Sequence, residues 1–280
     1  MLPFFRVAKF PLSLLIGFSA FFGGCLAPAP FTMTAVMGLS VFLLAAGGAA
    51  LNNIQDREID GTMARTRIRP LPKGEIGIPG ALSLAVTCIG AGMAMLVNYS
   101  VSLSAPGLGM VALILYNGIY TTLKRHTTLA ILPGAICGAL PPIIGYIGCG
   151  GAPLSFISWL LGALIFVWQI PHFWFVVLGN QHDYQHSAIP NMLQNLPEQS
   201  LRRLAITWIG SLVTIMLLFT ILPIHALARY FIFFNVFLFL GLFVIGISGK
   251  NAINYRRIFV LFNVMLTLHM GIIIFGRLYG

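Results

Sequence analysis

Long apolar stretches separated by short polar ones run the length of the chain. They lie near residues 10–27, 32–51, 76–97, 103–123, 128–149, 154–179, 204–223, 229–248 and 258–276. Crossing a hydrocarbon core of ~30 Å takes about 20 helical residues at ~1.5 Å each, and every run approaches that length. The pattern predicts an all-α integral membrane protein with nine transmembrane helices. The polar interruptions are unequal. Residues 52–75 and 180–203 form long ones, whereas those on the opposite face are only a few residues each. Chemistry concentrates on long loops held by a rigid frame, so it is expected in those two. They follow the second and the sixth run, which hints at two related halves, although no sequence repeat accompanies the hint.

Composition narrows the class. Of 280 residues, 58% are apolar and 8% charged, with a mean hydropathy of +0.93. A soluble domain carries about 25% charged residues, so an ordinary soluble enzyme, a disordered chain and a nucleic-acid binder are all excluded. The net charge of +10 is read first as topology. With the N-terminus in the cytoplasm, alternating loops place Arg6, Lys9, Arg57, Arg65, Arg67, Arg69, Lys73, Lys124, Arg125, Arg202, Arg203, Lys250, Arg256 and Arg257 on one side. Only Arg229 and Arg277 fall on the other. Cytoplasmic loops collect Lys and Arg, so this division of 14 to 2 supports both the orientation and the helix count. Every acid (Asp56, Glu58, Asp60, Glu75, Asp183 and Glu198) lies on the same basic side.

The N-terminus imitates a signal peptide, with Arg6 and Lys9, an apolar stretch from Phe10 to Leu26 and then Ala27-Pro28-Ala29. That stretch outlasts the usual signal core and Pro30 would follow the cut, so a retained first helix is expected. The absence of an Arg- and Ser-rich transit segment favours a bacterial cytoplasmic membrane. Cys25, Cys88, Cys137 and Cys149 are scattered through apolar runs without a CxxC spacing. They indicate neither a disulfide framework nor a zinc site, and are expected to pack.

The second run ends in Asn52-Asn53-Ile54-Gln55-Asp56-Arg57-Glu58-Ile59-Asp60. If the helix continues through this segment, Asn52, Asp56 and Asp60 fall at i, i+4 and i+8, on one face, while Glu58 points elsewhere. Two carboxylates and an amide oxygen suit Mg²⁺, which usually completes its shell with water and substrate phosphate. Arg65, Arg67, Arg69 and Lys73 follow, and an Arg fork matches phosphate oxygens. A solvated helix end with paired charges is the plainer alternative. An Asp costs ~2.5–3.5 kcal/mol at mid-membrane, which makes an acidic stripe beside a membrane helix unusual.

Asn52, Asp56 and Asp60, with Arg65, Thr66, Arg69, Pro70 and Leu71, resemble the NxxxDxxxD and RTxxRPL strings of the UbiA superfamily of intramembrane prenyltransferases. Further matches follow that superfamily's haem-farnesylating branch in order and spacing: Tyr120 with Lys124-Arg125, Gly138-Ala139-Leu140-Pro141-Pro142 with Gly145, Trp168-Gln169-Ile170-Pro171-His172-Phe173, Asp183-Tyr184, and Ile189-Pro190. The similarity runs from about residue 5 to about residue 275, and the Trp-Gln-x-Pro-His string is its most discriminating part. It implies a single domain over residues 1–280, a nine-helix bundle around a central cavity, with cytoplasmic active-site loops at 52–75 and 180–203.

The resemblance further implies Mg²⁺ as cofactor, with farnesyl diphosphate and haem b as substrates. The farnesyl group would pass to a haem vinyl carbon with addition of water, in the bilayer of a bacterial inner membrane. Transient contact with haem-handling or oxidase-assembly proteins would accompany this, and none with nucleic acid. Asn52, Asp56 and Asp60 would hold the metal, while Arg65, Arg69 and Lys124 would bind diphosphate. Asp183 would complete the catalytic acids, and Trp168, His172, Tyr120 and Tyr184 would face the haem.

The chain departs from the family around Asp183. A second DxxxD is common there, but Ser187 stands four positions after Asp183 and Gly179 four before, so one carboxylate remains. Asn180-Gln181-His182 replaces the usual basic residue before Asp-Tyr, and His182, Arg202 or Arg203 is the candidate substitute. Plainer roles stay open: Lys124-Arg125 as an ordinary loop charge pair, Trp168 and Tyr120 as packing, and His269 as a histidine hydrogen-bonded to a neighbouring helix. For function, a prenyltransferase acting on an aromatic or quinone-precursor acceptor shares the same fold. A polytopic transporter also accommodates intramembrane Gly and Pro and polar helix ends.

Overall fold

A computed structural model describes residues 3–185, 190–194, 196–248 and 254–279. Ser187, Ile189 and Lys250 lie outside the described residues. Regular structure among those described is entirely helical. A short helix α1 (Pro3–Val7) leads into α2 (Phe10–Cys25), α3 (Phe31–Thr62), α4 (Ile78–Tyr99), α5 (Ser104–Leu123), α6 (Thr128–Gly148) and α7 (Phe156–Gly179). Then follow α8 (Gln181–Gln185), α9 (Glu198–Ile221), α10 (Ala226–Ser248) and α11 (Tyr255–Leu278).

Eight of the helices, α3 to α7 and α9 to α11, are long and apolar enough to cross a membrane. The ninth expected run is α2, an apolar helix of 16 residues, about 24 Å long at 1.5 Å per residue. It is short because the chain breaks at both ends. Lys9 adopts a left-handed conformation (φ 46°, ψ 49°) with Pro11 just inside the helix, and the Ala27-Pro28-Ala29-Pro30 segment follows Cys25. Prolines also set the starts of α3, after Pro30, and α4, at Pro79, positions where a missing N–H costs nothing. The helix α3 runs past its apolar stretch to Thr62, and its polar residues Asn52, Asn53, Asp56 and Asp60 are buried there.

Contacts divide the chain into two compact units: Met1–Leu161 with His186–Pro190, and Gly162–Gln185 with Asn191–Gly280. In the first unit, α2 packs on α3 and α6, and α3 packs on α4. Glycines let α2 and α6 meet backbone to backbone. A Cβ on Gly145 would lie 1.8 Å from the Ala20 carbonyl oxygen, and one on Gly23 would lie 1.9 Å from that of Pro142. Small residues at such crossings are the usual means of helix association in lipid. The helix α2 is thereby built into the unit. In the second unit, α11 packs on α10, and α10 packs on α9, around Phe219, Phe239 and Phe262.

One irregularity bears on the site. Within α5, residues Ile114–Tyr120 form a π-helical turn, which the apolar pattern does not announce. The turn is braced from outside, because Asn117 donates to the Gly48 carbonyl at 2.9 Å and to Gln55 Oε1 at 3.2 Å. π-turns recur at functional sites.

Candidate functional site

Continuation of α3 brings Asn52, Asp56 and Asp60 onto one buried stripe, at 2%, 4% and 5% exposure. Glu58 points outward and pairs with Arg57 at 3.5 Å. Burying two carboxylates is tolerable only with partners, and the first unit supplies them from the end of α5 and from the loop after α3. Lys124 and Arg125, at the end of α5, both engage Asp56, the arginine at 3.3 Å. Arg69, in the loop after α3, donates to Asp60 at 2.6 Å. Thr66 Oγ1 donates to the Asp60 carbonyl at 3.0 Å, which folds that loop back on the helix. Arg65 lies exposed in the same loop.

Two participants had no site role in the sequence reading, Lys9 outside every motif and Arg125 inside the Lys124-Arg125 pair. Lys9, counted there only as topology, donates to Asn52 Oδ1 at 2.8 Å from its left-handed corner between α1 and α2. Burial, and next the neighbouring Arg69 and Lys124 cations, push its ammonium down to about 7, against the opposing pull of Asp56 and Asp60. Lys124 is likewise lowered by burial, with Asp56 acting in the other direction. Arg125 is the second surprise, since it is no bystander charge but a direct partner of Asp56. The one sequence signal for Lys9 is its place directly before an apolar run opened by Phe10-Pro11.

The resulting chemistry is that of a polyanion site. Four cations (Lys9, Arg69, Lys124 and Arg125) surround two carboxylates, so positive charge exceeds negative before any ligand arrives. No cluster of three or more His, Cys, Asp or Glu side chains placed to hold a metal ion occurs among the described residues. An amide oxygen and two carboxylates on one stripe fit a divalent ion that keeps most of its shell for water and phosphate oxygens, as Mg²⁺ does. Protein and donor set therefore suit a metal diphosphate.

Tyr120 lies in the first unit beside this group. Its ring stacks on Tyr116 at 5.8 Å, with the Lys124 ammonium 5.4 Å from its centroid. Gly134 lets the ring lie close, as a Cβ there would sit 3.1 Å from it.

The second unit holds the remaining candidates. Trp168 and His172 share one face of α7, with ring centroids 4.2 Å apart. Trp168 also stacks on Phe262 at 5.9 Å, and His172 rests on Phe259 at 4.8 Å. Trp168 Nε1 and His172 Nδ1 are buried without a hydrogen-bond partner among the described residues, a costly condition unless a ligand meets them. Asp183 and Tyr184 lie on α8, where the Tyr184 carbonyl accepts from Asn191 at 2.9 Å. His182 is exposed beside Asp183, and Arg202 lies on α9 with Arg203 exposed next to it. His269 corrects an expectation: it is fully buried, yet neither ring nitrogen has a hydrogen-bond partner among the described residues. An edge-on ring contact with Phe219 at 5.4 Å takes the place of the interhelical bond.

Comparison with known proteins extends these observations. The profile of the UbiA prenyltransferase family matches residues 12–269. The protoheme IX farnesyltransferase of Geobacter sulfurreducens is 44% identical over 180 residues, covering 64% of this chain and 66% of that protein, just under two thirds of its length. That of Nitratidesulfovibrio vulgaris is 36% identical over 219 residues, 77% of this chain and 75% of its own. That of Oleidesulfovibrio alaskensis is 32% identical over 270 residues, 90% of this chain and 92% of its own. Among solved structures, digeranylgeranylglyceryl phosphate synthase superposes with a TM-score of 0.77 at 12% identity, covering 99% of this chain and 98% of that one. A UbiA homologue from Archaeoglobus fulgidus, bound to GPP and Mg²⁺, gives 0.69 at 15% identity, covering 98% of this chain and 99% of that one. At such identities the likeness is one of fold.

Proposed function

Because the chain belongs to the UbiA prenyltransferase family, we propose that it transfers the farnesyl group of farnesyl diphosphate to a vinyl carbon of haem b (protohaem IX), with addition of water, giving haem O. The observation that carries this is the buried stripe of Asn52, Asp56 and Asp60 faced by four cations. The naming of relatives up to 44% identical as protoheme IX farnesyltransferases, and the orphaned nitrogens of Trp168 and His172, point to the haem acceptor.

In this reading Asn52, Asp56 and Asp60 hold Mg²⁺, which when bound supplies positive charge to the departing diphosphate. Arg65, Arg69 and Lys124 bind the diphosphate, joined by Lys9 and Arg125. As the bond from the allylic carbon to oxygen breaks, these cations stabilise the growing negative charge where they already stand, with little reorganisation. The allylic carbon bonds to the vinyl terminus, and the carbon beside the porphyrin takes up water with loss of a proton. Apolar surroundings keep bulk water from the allylic cation until then. Trp168, His172 and Tyr184 receive the haem, and Asp183 serves as the remaining acid.

The reading includes a single intramembrane domain of nine spans, with α2 as the shortest. It places the protein in a bacterial cytoplasmic membrane with the charged loops in the cytoplasm, a placement that the positive-inside bias supports. Purified protein given farnesyl diphosphate, haem b and Mg²⁺ yields hydroxyethylfarnesyl haem, identified by mass spectrometry. Failure to form that product, or preferential prenylation of a hydroxybenzoate acceptor, overturns it.

A further inference from the structure

Asn52 presents two opposite chemical ends, and the network around it decides which end faces where. Its Nδ2 donates to Asp56 Oδ2 at 2.8 Å and to Thr121 Oγ1 at 3.0 Å, while its Oδ1 accepts from Lys9 at 2.8 Å. A hydroxyl has a single proton to donate. Thr121 spends its own on the Tyr116 carbonyl, at 2.8 Å, so towards Asn52 it can only accept. The amide is thereby turned with its oxygen to the cationic side. The Thr121 side is 1% exposed, and water does not compete for the contact.

The π-turn explains why Thr121 is available. Its backbone N–H and its hydroxyl both reach the carbonyl five residues back, Tyr116, rather than the one four back. One extra residue in a turn rotates everything after it by roughly 100°. That rotation carries both Thr121 and Lys124 onto α3, to Asn52 and Asp56 respectively.

We propose that Thr121 is a positioning residue: its hydroxyl, held by the π-turn, fixes the Asn52 amide with Oδ1 directed at the metal position. This rests on the metal-binding role proposed above for Asn52, Asp56 and Asp60. Asp56 alone does not secure the amide, because a carboxylate engaged by a divalent ion has less capacity left to accept from Asn52. Thr121 has no such second commitment, so its hold persists when the site is loaded.

The test is Mn²⁺ affinity, read by electron paramagnetic resonance on the full-length protein in detergent with inorganic diphosphate present. Thr121→Val, which keeps the shape and loses the acceptor, weakens Mn²⁺ binding about tenfold, the usual scale for an outer partner of a ligand, while Thr121→Ser binds within about threefold of wild type. In an Asn52→Asp background, where no amide needs orienting, adding Thr121→Val changes the affinity by less than about twofold. Should Thr121→Val fail to fold, Thr121→Cys, a weaker acceptor, shows an intermediate loss. Equal affinity in wild type and Thr121→Val, or in wild type and Thr121→Cys, overturns the proposal, as does an undiminished effect in the Asn52→Asp background. Absence of Mn²⁺ binding by wild type overturns the metal site itself, and is distinguishable because every variant then behaves alike.

Discussion

Replacing Asp56 by Asn separates the stripe's chemistry from its contribution to the fold. The amide has nearly the same volume, and its oxygen can still accept from Asn52, so packing and one hydrogen bond survive. A negative charge at 4% exposure, in contact with both Lys124 and Arg125, is what disappears. Two like charges about 4 Å apart repel by about 4 kcal/mol at an effective dielectric of 20. Here, however, the lysine side chain is 20% exposed and the arginine 35%, so water and small movements relieve most of that. A stability loss of about 1–2 kcal/mol is expected, partly recovered as salt rises and the Debye length shrinks to a few ångströms.

Turnover should behave differently. If Asp56 holds the metal as proposed, its removal costs charge stabilisation at the diphosphate, several kcal/mol, and about 4 kcal/mol is a thousandfold in rate. The assay pairs product mass spectrometry, using farnesyl diphosphate and haem b, with thermal unfolding in micelles at low and high salt. Activity within tenfold of wild type would refute the catalytic role. Outright loss of the fold would instead make Asp56 a structural clamp.

Three further outcomes follow from other parts of the molecule. Gly145→Ala forces a Cβ against the Ala20 carbonyl and should destabilise by about 1–3 kcal/mol in thermal unfolding, with turnover of the folded fraction unchanged. In EDTA, wild type should gain stability relative to Lys9→Met as pH rises from about 7 towards the ordinary lysine range. Its depressed folded value means that the unfolded chain holds the extra proton in that window, and a flat difference across denaturation midpoints would contradict this. His172→Phe should raise the KM for haem about tenfold, the scale of one ~1.4 kcal/mol polar interaction, without altering the KM for farnesyl diphosphate; an equal change in both would remove His172 from the acceptor side.

How far the chain discloses itself differs by scale. Length and hydrophobicity alone placed all nine apolar runs within helices, because the requirement to satisfy every backbone group in lipid leaves no other local solution. The periodicity of Asn52, Asp56 and Asp60 also put them on one face, given only that α3 continues past its apolar stretch, as it does to Thr62. What that face meets was not legible. Lys9 is 43 residues from Asn52, Lys124 is 68 from Asp56, and Thr121 is 69 from Asn52, and such pairings depend on how helices close on one another.

The π-turn at Ile114–Tyr120 is the clearest case. Its residues read as ordinary apolar helix, yet a one-residue excess in its winding determines which side chains turn towards α3. Braced by Asn117 against Gly48 and Gln55, the turn owes its stability to a partner far along the chain. His269 makes the same point in the opposite sense, since its sequence context invited a hydrogen bond that its packed surroundings do not offer. The sequence by itself determined the helices and the acidic stripe, because hydrophobic length and helical period act over neighbouring residues. Only the tertiary structure decided which cations and hydroxyls complete the stripe, because charge pairing and amide orientation arise from contacts between distant segments.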